Sequence, residues 1–483
     1  MGREEQIIRE RIRKLNELKK IGINPYPSKY EKKQSVEECK KVPIGSKVKT
    51  AGRLMSRREI GKIAFSNLMD FSGKIQLVFQ KGETPSKTFE FFKRYLDIGD
   101  IVGIEGKIIK TKTGEISILV QEVQLLAKSI LPLPEKWHGL KNEEERLRKR
   151  YLEILTNPEV KEMFIKKDKF WNTIRNFLKK RGFIEVETPV LETCAGGANA
   201  TPFKTHHNAL DIDVYLRISM GELWQKKLMI AGFEKTFEIG RQFRNEGIDT
   251  EHLQDYTQME FYWAYANKDD GMKLVKQMYR EVAKEVLGTL KFKSRGYAVD
   301  LGKEWELYDY ETTIEKYTKI NIYSSTKEKI MKKLDELKIE YDPKQDKWIL
   351  VDALWKYCRK KIGGPGFLIN QPVEVSPLAK KNPKDPRKVE RFQVIIAGSE
   401  MGNGYSELND PFDQEERFNR QMELKKSGHE EAHEKDESFI EALKYGMPPT
   451  CGFGVSERFF ACLMDKPIRE CVIFPLVKPK KKR

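Results

Sequence analysis

The chain has 483 residues, 39% of them hydrophobic: too long for one typical domain, and apolar enough to fill two or more cores. No apolar run reaches the ~18–20 residues a membrane span needs, and the opening MGREEQIIRERIRK has neither an apolar stretch nor a cleavage signature, so no membrane is expected and the place of work is cytoplasmic. The six cysteines (39, 194, 358, 451, 462 and 471) form no C-x-x-C pair, which argues against a zinc knuckle or a disulfide framework and for reduced, structural thiols, while the excess of 90 Lys+Arg over 73 Asp+Glu, +17, favours polyanions and nucleic acid first.

Residues 3–21 set Ile8, Ile12, Leu15 and Leu18 at spacings of three and four among Lys and Arg, and Gly22 with Pro25 ends the segment. This is an amphipathic helix with one basic face, suited to lying along RNA or to docking on its own domain. From Lys47 to Ala127 short alternating strands follow: KVKTAGRLMSRRE, IAFSNLMDF, KIQLVFQ, IVGIEGKIIKT and ISILVQEVQLL, with a helix over 88–96 after the third. Five strands with a helix between the third and fourth is the order of an OB-fold barrel, a scaffold that binds single-stranded nucleic acid by stacking and edge hydrogen bonds. Pro132, Pro134 and KNEEERLRKR then read as a linker and a helix start.

An amphipathic helix over 170–180 leads into RGFIEVETPVLE, predicted as a strand ending at Pro189. Glu222 starts a helix whose other face (Leu223, Leu228, Met229) is apolar, so its carboxylate is either a helix-dipole partner or a substrate ligand. The stretch 237–265, FEIGRQFRNEGIDTEHLQDYTQMEFYWAY, reads as two strands and a loop. Phe237, Ile239, Phe243, Met259, Phe261 and Trp263 make a core face, and pairing puts Arg244 and Glu246 on the other face with Glu260 and Tyr262. Residues 267–390 carry no sharp chemical signal. In RFQVIIAGSEMGNGYSELND, a strand, a Gly-rich turn and a second strand broken by glycines, Glu400, Asn403, Tyr405 and Glu407 can point into one pocket, a pattern that suits a cation. In TCGFGVSERFFACLM, Gly452 and Gly454 are read as breaking a strand before Arg458 opens a buried helix, where an arginine needs an anion. The tail from Lys478 is read as a disordered basic end.

These words resemble a known family. FRNEG is similar to motif 2 of the class II aminoacyl-tRNA synthetases, and FEIGRQFRNEGID with MEFYWAYA is most similar to lysyl-tRNA synthetases. RGFIEVETPVLE resembles motif 1, the class II dimer interface, with Pro189 at its marker position. Val455-Ser-Glu-Arg458 resembles motif 3, and AGRLMSRRE with TKTGEISI resembles the family's anticodon-binding barrel. The resemblance implies ATP-dependent activation of L-lysine and its transfer to the 3′ end of tRNA(Lys) by a homodimer using ATP and Mg²⁺. It implies Arg244 on the ATP α-phosphate and Arg458 on the γ-phosphate as the catalytic pair, Glu246 on the adenine amino group, and His252 and Tyr256 covering the nucleotide. Glu400, with Gln393 where the family has a second glutamate, is implied at Mg²⁺ and ATP. Gly197, Glu222, Glu260, Tyr262, Asn403, Tyr405 and Glu407 are implied around lysine, with Glu222 on its α-amino group and Glu260 and Glu407 on its side chain. In the barrel, Phe65 is implied to stack on an anticodon base, with Arg58, Gln76 and Glu122 reading edges. Ser-Met-Gly-Glu-Leu around Glu222 and Leu253-Gln254 in the motif 2 loop depart from the family's Pro-Glu-Leu and Asn-Pro.

The expected architecture is α+β: a lead-in (1–45), a five-stranded OB-fold barrel (46–128), a linker (129–150) and a class II antiparallel-sheet catalytic domain flanked by helices (151–483). A catalytic-domain paralogue that lysylates protein and a non-catalytic RNA-binding homologue are the alternatives. The barrel weighs against the first; the presence of Arg244, Glu246 and Arg458 weighs against the second.

Overall fold

The computed structural model describes residues 2–134, 142–194, 196, 200–247, 249, 251–426 and 435–480. The chain divides into two compact units, Met1–Lys141 and Asn142–Arg483.

In the first unit the strands β1 (Lys47–Leu54), β2 (Arg58–Ile60), β3 (Ile63–Met69), β4 (Lys74–Gln80), β5 (Ile101–Lys110) and β6 (Ile116–Ala127) run in the order β1-β5-β6-β4-β3-β2, and a further β1–β3 pairing closes the sheet. It is a five-stranded OB-fold barrel whose first strand is broken: KVKTAGRLMSRRE becomes β1 and β2 because its end leaves β5 and crosses to β3, Leu54 pairing with Leu68. Gly52 permits the crossing, since a Cβ there would lie 2.5 Å from the Met69 carbonyl oxygen. Alternation in β3 sends Ala64, Ser66 and Leu68 inward and leaves Phe65 half-buried on the outside. Helix α2 (Ser86–Tyr95) follows β4 and fills one barrel end by stacking Phe92 on Phe79, centroids 4.0 Å apart. Helix α1 (Arg3–Lys20) docks within this unit, but along Arg11 and Leu18; Ile12 is exposed, a correction to the predicted face. The buried Arg11 guanidinium donates to the carbonyls of Ile98, Ser129 and Leu131, which offsets its desolvation.

The second unit is built on an eight-stranded sheet: β7 (Ile184–Glu185), β8 (Lys235–Phe243), β9 (Asp255–Ala264), β10 (Glu306–Asp309), β11 (Gly366–Ile369), β12 (Arg391–Ile396), β13 (Ser399–Ser406) and β14 (Thr450–Ser456), in the order β10-β11-β12-β13-β14-β9-β8-β7. Its pairings are antiparallel except at the two edges. One face is core. Phe237, Met259, Phe261, Phe392 and Phe453 pack there with helices α3 (Pro158–Lys179), α5 (Lys268–Leu287) and α7 (Glu457–Met464), through Phe170, Phe177, Tyr279, Phe459 and Phe460. Two further helices, α4 (Glu222–Ile230) and α6 (Lys347–Arg359), supply the site described below.

Three sequence expectations change here. The strand expected to reach Pro189 pairs only at Ile184–Glu185, because Thr188 turns its backbone N–H and hydroxyl to the buried Glu238 carboxylate, 3.1 and 2.6 Å, in place of a strand partner. Gly452 and Gly454 do not break β14, which runs through both. The described part of the tail is tied down: Arg148 donates to the Lys478 carbonyl, 2.6 Å, and Lys480 pairs with Glu145, 2.5 Å. No disulfide joins the cysteines, five of which are buried. No described helix is long and apolar enough to cross a membrane.

Candidate active site

The face of the sheet opposite the core is a floor of cross-strand rows. One row is Glu238, Glu260, Gly454, Asn403 and Gln393; the next, two residues along each strand, is Thr236, Tyr262, Gly452, Tyr405 and Arg391. Directly paired residues share a face, so five strands deliver these side chains to one place. The middle strand contributes glycine in both rows. A Cβ on Gly452 would lie 2.2 Å from Glu407 Oε1 and 2.7 Å from the Tyr262 ring, and one on Gly454 would lie 3.1 Å from Glu260. The glycines therefore hollow out a cavity of about 300 Å³. Arg244, Tyr256, Glu222, Glu260, Tyr262, Gln393, Glu400, Asn403, Tyr405, Glu407 and Arg458 all line it.

One end is acidic. Glu222, Glu260 and Glu407 are each at least 93% buried, and two of them meet on the Lys226 ammonium, whose Nζ lies 2.8 Å from Glu222 and 2.6 Å from Glu407. Tyr405 donates its hydroxyl to Glu222. Glu260 accepts from Gln258, 2.6 Å, Tyr262, 3.1 Å, and the Met220 backbone N–H, 3.3 Å. Three carboxylates against one ammonium leave a formal excess of two negative charges. Burial, and then the charge of Glu222, pushes Glu260 up to about 7; burial pushes Glu407 up to about 8 against the pull of Lys226. The Lys226 ammonium, which burial disfavours, is held above its ordinary range by Glu222 and Glu407. Such an end is short of positive charge, so it suits a cationic ligand.

The other end is basic. The Arg244 guanidinium sits 5.8 Å from the Tyr256 ring centroid and donates Nε to the Ile218 carbonyl, 3.2 Å. Arg458 donates to the Glu400 carbonyl, 3.2 Å, and its Nε is buried without a partner. Between the ends, Arg391 donates to Asn403, 2.8 Å. The Glu400 carboxylate accepts from Trp355 Nε1, 2.7 Å, and Gln393 Nε2, 3.0 Å. Burial works against its charge, but Arg359 and the Trp355 hydrogen bond outweigh that and hold it below the usual carboxylate range.

Not every expected residue meets here. Glu246 and His252 are absent from the cavity lining. His252 is turned to Asp249, Nδ1 to Oδ2 2.7 Å, in the β8–β9 loop, and Tyr256, expected in that loop, belongs to β9. In that loop Gln254 donates to the Glu246 and Gly247 carbonyls, 3.3 and 3.2 Å, and Leu253 is buried in the core; together they fix the chain where the resembling family has Asn-Pro. Gly197 lies outside the described residues. Of the carboxylates expected around lysine, Glu222 and Glu407 are joined by Lys226. Of the expected metal pair, Gln393 gives its amide N–H to Glu400, and among the described residues no three His, Cys, Asp or Glu side chains converge to hold an ion. On the barrel, Arg58 and Phe65 are direct cross-strand partners, while Gln76 is held by Glu115 and Ser117, both at 2.9 Å. Glu122 stands exposed on β6 across from Glu105.

Sequence reading missed Lys226, Arg391, Trp355 and Arg359. The i,i+4 spacing of Glu222 and Lys226 was a usable signal. Trp355 and Arg359 lie in the 267–390 stretch, where the sequence carries no sharp chemical signal.

Residues 142–478 match the family described as tRNA synthetases class II (D, K and N), and residues 48–126 match the OB-fold nucleic acid binding domain. The chain belongs to the class II tRNA synthetase family. Within it, the chain is 44% identical to a lysine–tRNA ligase of Thermotoga maritima over 98% of its own length and 96% of the relative's. It is 43% identical to that of Thermosipho africanus, over 97% and 96%, and 42% identical to that of Staphylococcus aureus, over 97% and 98%.

Proposed function

We infer that the protein activates L-lysine with ATP to lysyl-adenylate and transfers lysine to the 3′ end of tRNA(Lys). The observation that carries the choice of amino acid is the buried acidic end, where Glu222, Glu260 and Glu407 outnumber Lys226. An ammonium entering a water-poor pocket needs carboxylate partners, whereas an aspartate side chain would be repelled there and a neutral asparagine side chain would leave the negative charge uncompensated. Lysine bound with its amines at this end turns its carboxylate toward Arg244 and Arg458. ATP laid along the basic end then presents its α-phosphorus to that carboxylate, which attacks it as pyrophosphate leaves. No side chain acts as a nucleophile; the site holds two anions in line and neutralises their charge. Mg²⁺ enters with the nucleotide. A homodimer formed through the RGFIEVETPVLE segment, and an adenine seat at Glu246 with His252 closing over ATP, complete the reading. ATP–pyrophosphate exchange with each amino acid in turn tests it: exchange with lysine alone is expected, and exchange with aspartate or asparagine would overturn it.

The raised carboxylates give this site a pH signature. Binding an ammonium requires Glu260 and Glu407 as anions, and in the free protein they take up protons below about 7 and about 8. Lysine affinity therefore rises with pH up to about 8 and falls below about 7, by roughly tenfold per pH unit for each proton that must leave. The lysine KM between pH 6 and 8.5 checks this; a flat profile contradicts it. Glu407→Gln removes one negative charge beside Lys226 and should raise the lysine KM roughly tenfold or more, since charged hydrogen bonds contribute ~1.5–3 kcal/mol. An unchanged KM would remove Glu407 from the lysine site.

The barrel reads the RNA. Phe65→Ala should weaken tRNA charging by one lost base stack, ~1–3 kcal/mol, and leave pyrophosphate exchange intact. Equal damage to both assays would make the barrel structural only.

A further inference from the structure

The Glu400 corner of the cavity holds more positive charge than the reaction read above accounts for. Helix α6 brings two donors to Glu400 from one face, four residues apart: Trp355, whose indole takes Oε1, and Arg359, whose Nη1 lies 3.7 Å from the same oxygen. Gln393 takes Oε2 with its amide N–H and carries no charge. Arg359 is 14% exposed, and its Nε is buried without a hydrogen-bond partner. Its Nη2 lies 3.7 Å from Glu251, which also pairs with Arg295 and accepts from Ser399, 2.8 Å. Arg458 closes the corner on the Glu400 carbonyl. Two carboxylates, Glu251 and Glu400, thus face three guanidinium groups, Arg295, Arg359 and Arg458. A net charge of +1 repels a hard divalent cation, which binds where carboxylate oxygens are in excess.

We propose that Arg359 is a positioning residue that stands beside Glu400 in place of a protein-held divalent cation, so that the only metal at this site is the one the nucleotide brings. The proposal rests on the ATP site described above, and its test counts ions without depending on lysine. Glu400 then serves as the anchor that Trp355, Arg359 and Gln393 hold still. Its role is to set the Arg458 guanidinium, which binds its backbone carbonyl, and metal ligation is not required of it.

The probe is Mn²⁺, counted from the loss of the free-ion electron paramagnetic resonance signal, with full-length protein, alone and with an ATP analogue methylene-bridged between the α- and β-phosphates. Wild type should hold no ion without nucleotide and one ion per site with it. Arg359→Met, or Arg359→Gln if the first does not fold, should hold one further ion per nucleotide-loaded site, and its pyrophosphate exchange should come to need free Mg²⁺ beyond that complexed by ATP. Arg359→Lys, which keeps the charge, should count as wild type. Gln393→Glu, which brings the corner to zero net charge with Arg359 present, as Arg359→Met does, should also gain an ion. A wild type that already binds two ions per loaded site, or Arg359 variants whose ion count and Mg²⁺ curve overlay wild type, would overturn the proposal. Wild type that counts ions as expected yet shows no lysine-dependent exchange would instead refute the functional reading.

Discussion

Arg458→Ala is expected to lower lysine-dependent pyrophosphate exchange by roughly 10²–10³-fold, the usual loss when one preorganised donor to a developing anionic charge is removed. The preorganisation is visible from the sequence upward. Ser456 caps α7 by accepting from the Arg458 N–H, 3.3 Å, which fixes where the helix starts. Glu457, fully buried, accepts from the Thr257 backbone N–H, 2.6 Å, and pairs with Lys167, so the first turn of α7 is clamped to β9 and α3. Arg458 is thus delivered into the cavity by a rigid corner, with an Nε left for an anion. Arg458→Lys keeps the charge without the planar fork and should fall between wild type and alanine. A loss in Arg458→Ala of less than roughly threefold, with the fold intact, would remove this residue from the reaction.

The largest effect on stability is expected at Lys226. Its side chain is fully buried, and its ammonium pairs with both Glu222 and Glu407. Lys226→Met removes one partner of a buried ion pair and leaves the other charges uncompensated, a change that costs ~3–5 kcal/mol. The sign with pH is fixed by the carboxylates. Glu260 and Glu407 are pushed up to about 7 and about 8, and loss of Lys226 removes the pull that holds Glu407 down, so at pH 6 both are neutral and the variant suffers less than at pH 8. Thermal melts of the variant and wild type at both pH values should show the gap widening with pH. A pH-independent gap would mean that Lys226 acts through packing of its stem. Added lysine cannot replace the missing ammonium from outside, because Lys226 approaches from α4 beneath the Tyr405 ring, 5.5 Å from its centroid, and so variant and wild type should differ in lysine KM as well.

How much of this was legible in the chain differs from element to element. The core face of the β8–β9 hairpin was readable: Phe237, Met259 and Phe261 alternate with Glu238, Glu260 and Tyr262, and a period of two assigns the faces without tertiary knowledge. The order of strands and helix in the barrel was readable for the same reason. The glycines were misread. In isolation Gly452 and Gly454 look like breaks in a strand, yet their real constraint is the Glu407, Tyr262 and Glu260 side chains brought over them by neighbouring strands. The buried face of α1 was misread too, because an arginine was not counted as core; three carbonyls far away in sequence make Arg11 one.

The sequence by itself therefore determined the two-part organisation, the barrel, the core face of the catalytic sheet and many of the residues that line the cavity, because each of these rests on local periodicity or on a contiguous word. Only the tertiary structure decided which charges meet. Lys226 is balanced by Glu407 as well as by its helical neighbour Glu222, and Glu400 is engaged by Trp355 and Arg359 from a stretch where the sequence carries no sharp chemical signal. The reason is that Coulomb and hydrogen-bond energies depend on distance in space, and in a sheet ordered β10-β11-β12-β13-β14-β9-β8-β7 most neighbours in space are remote in sequence.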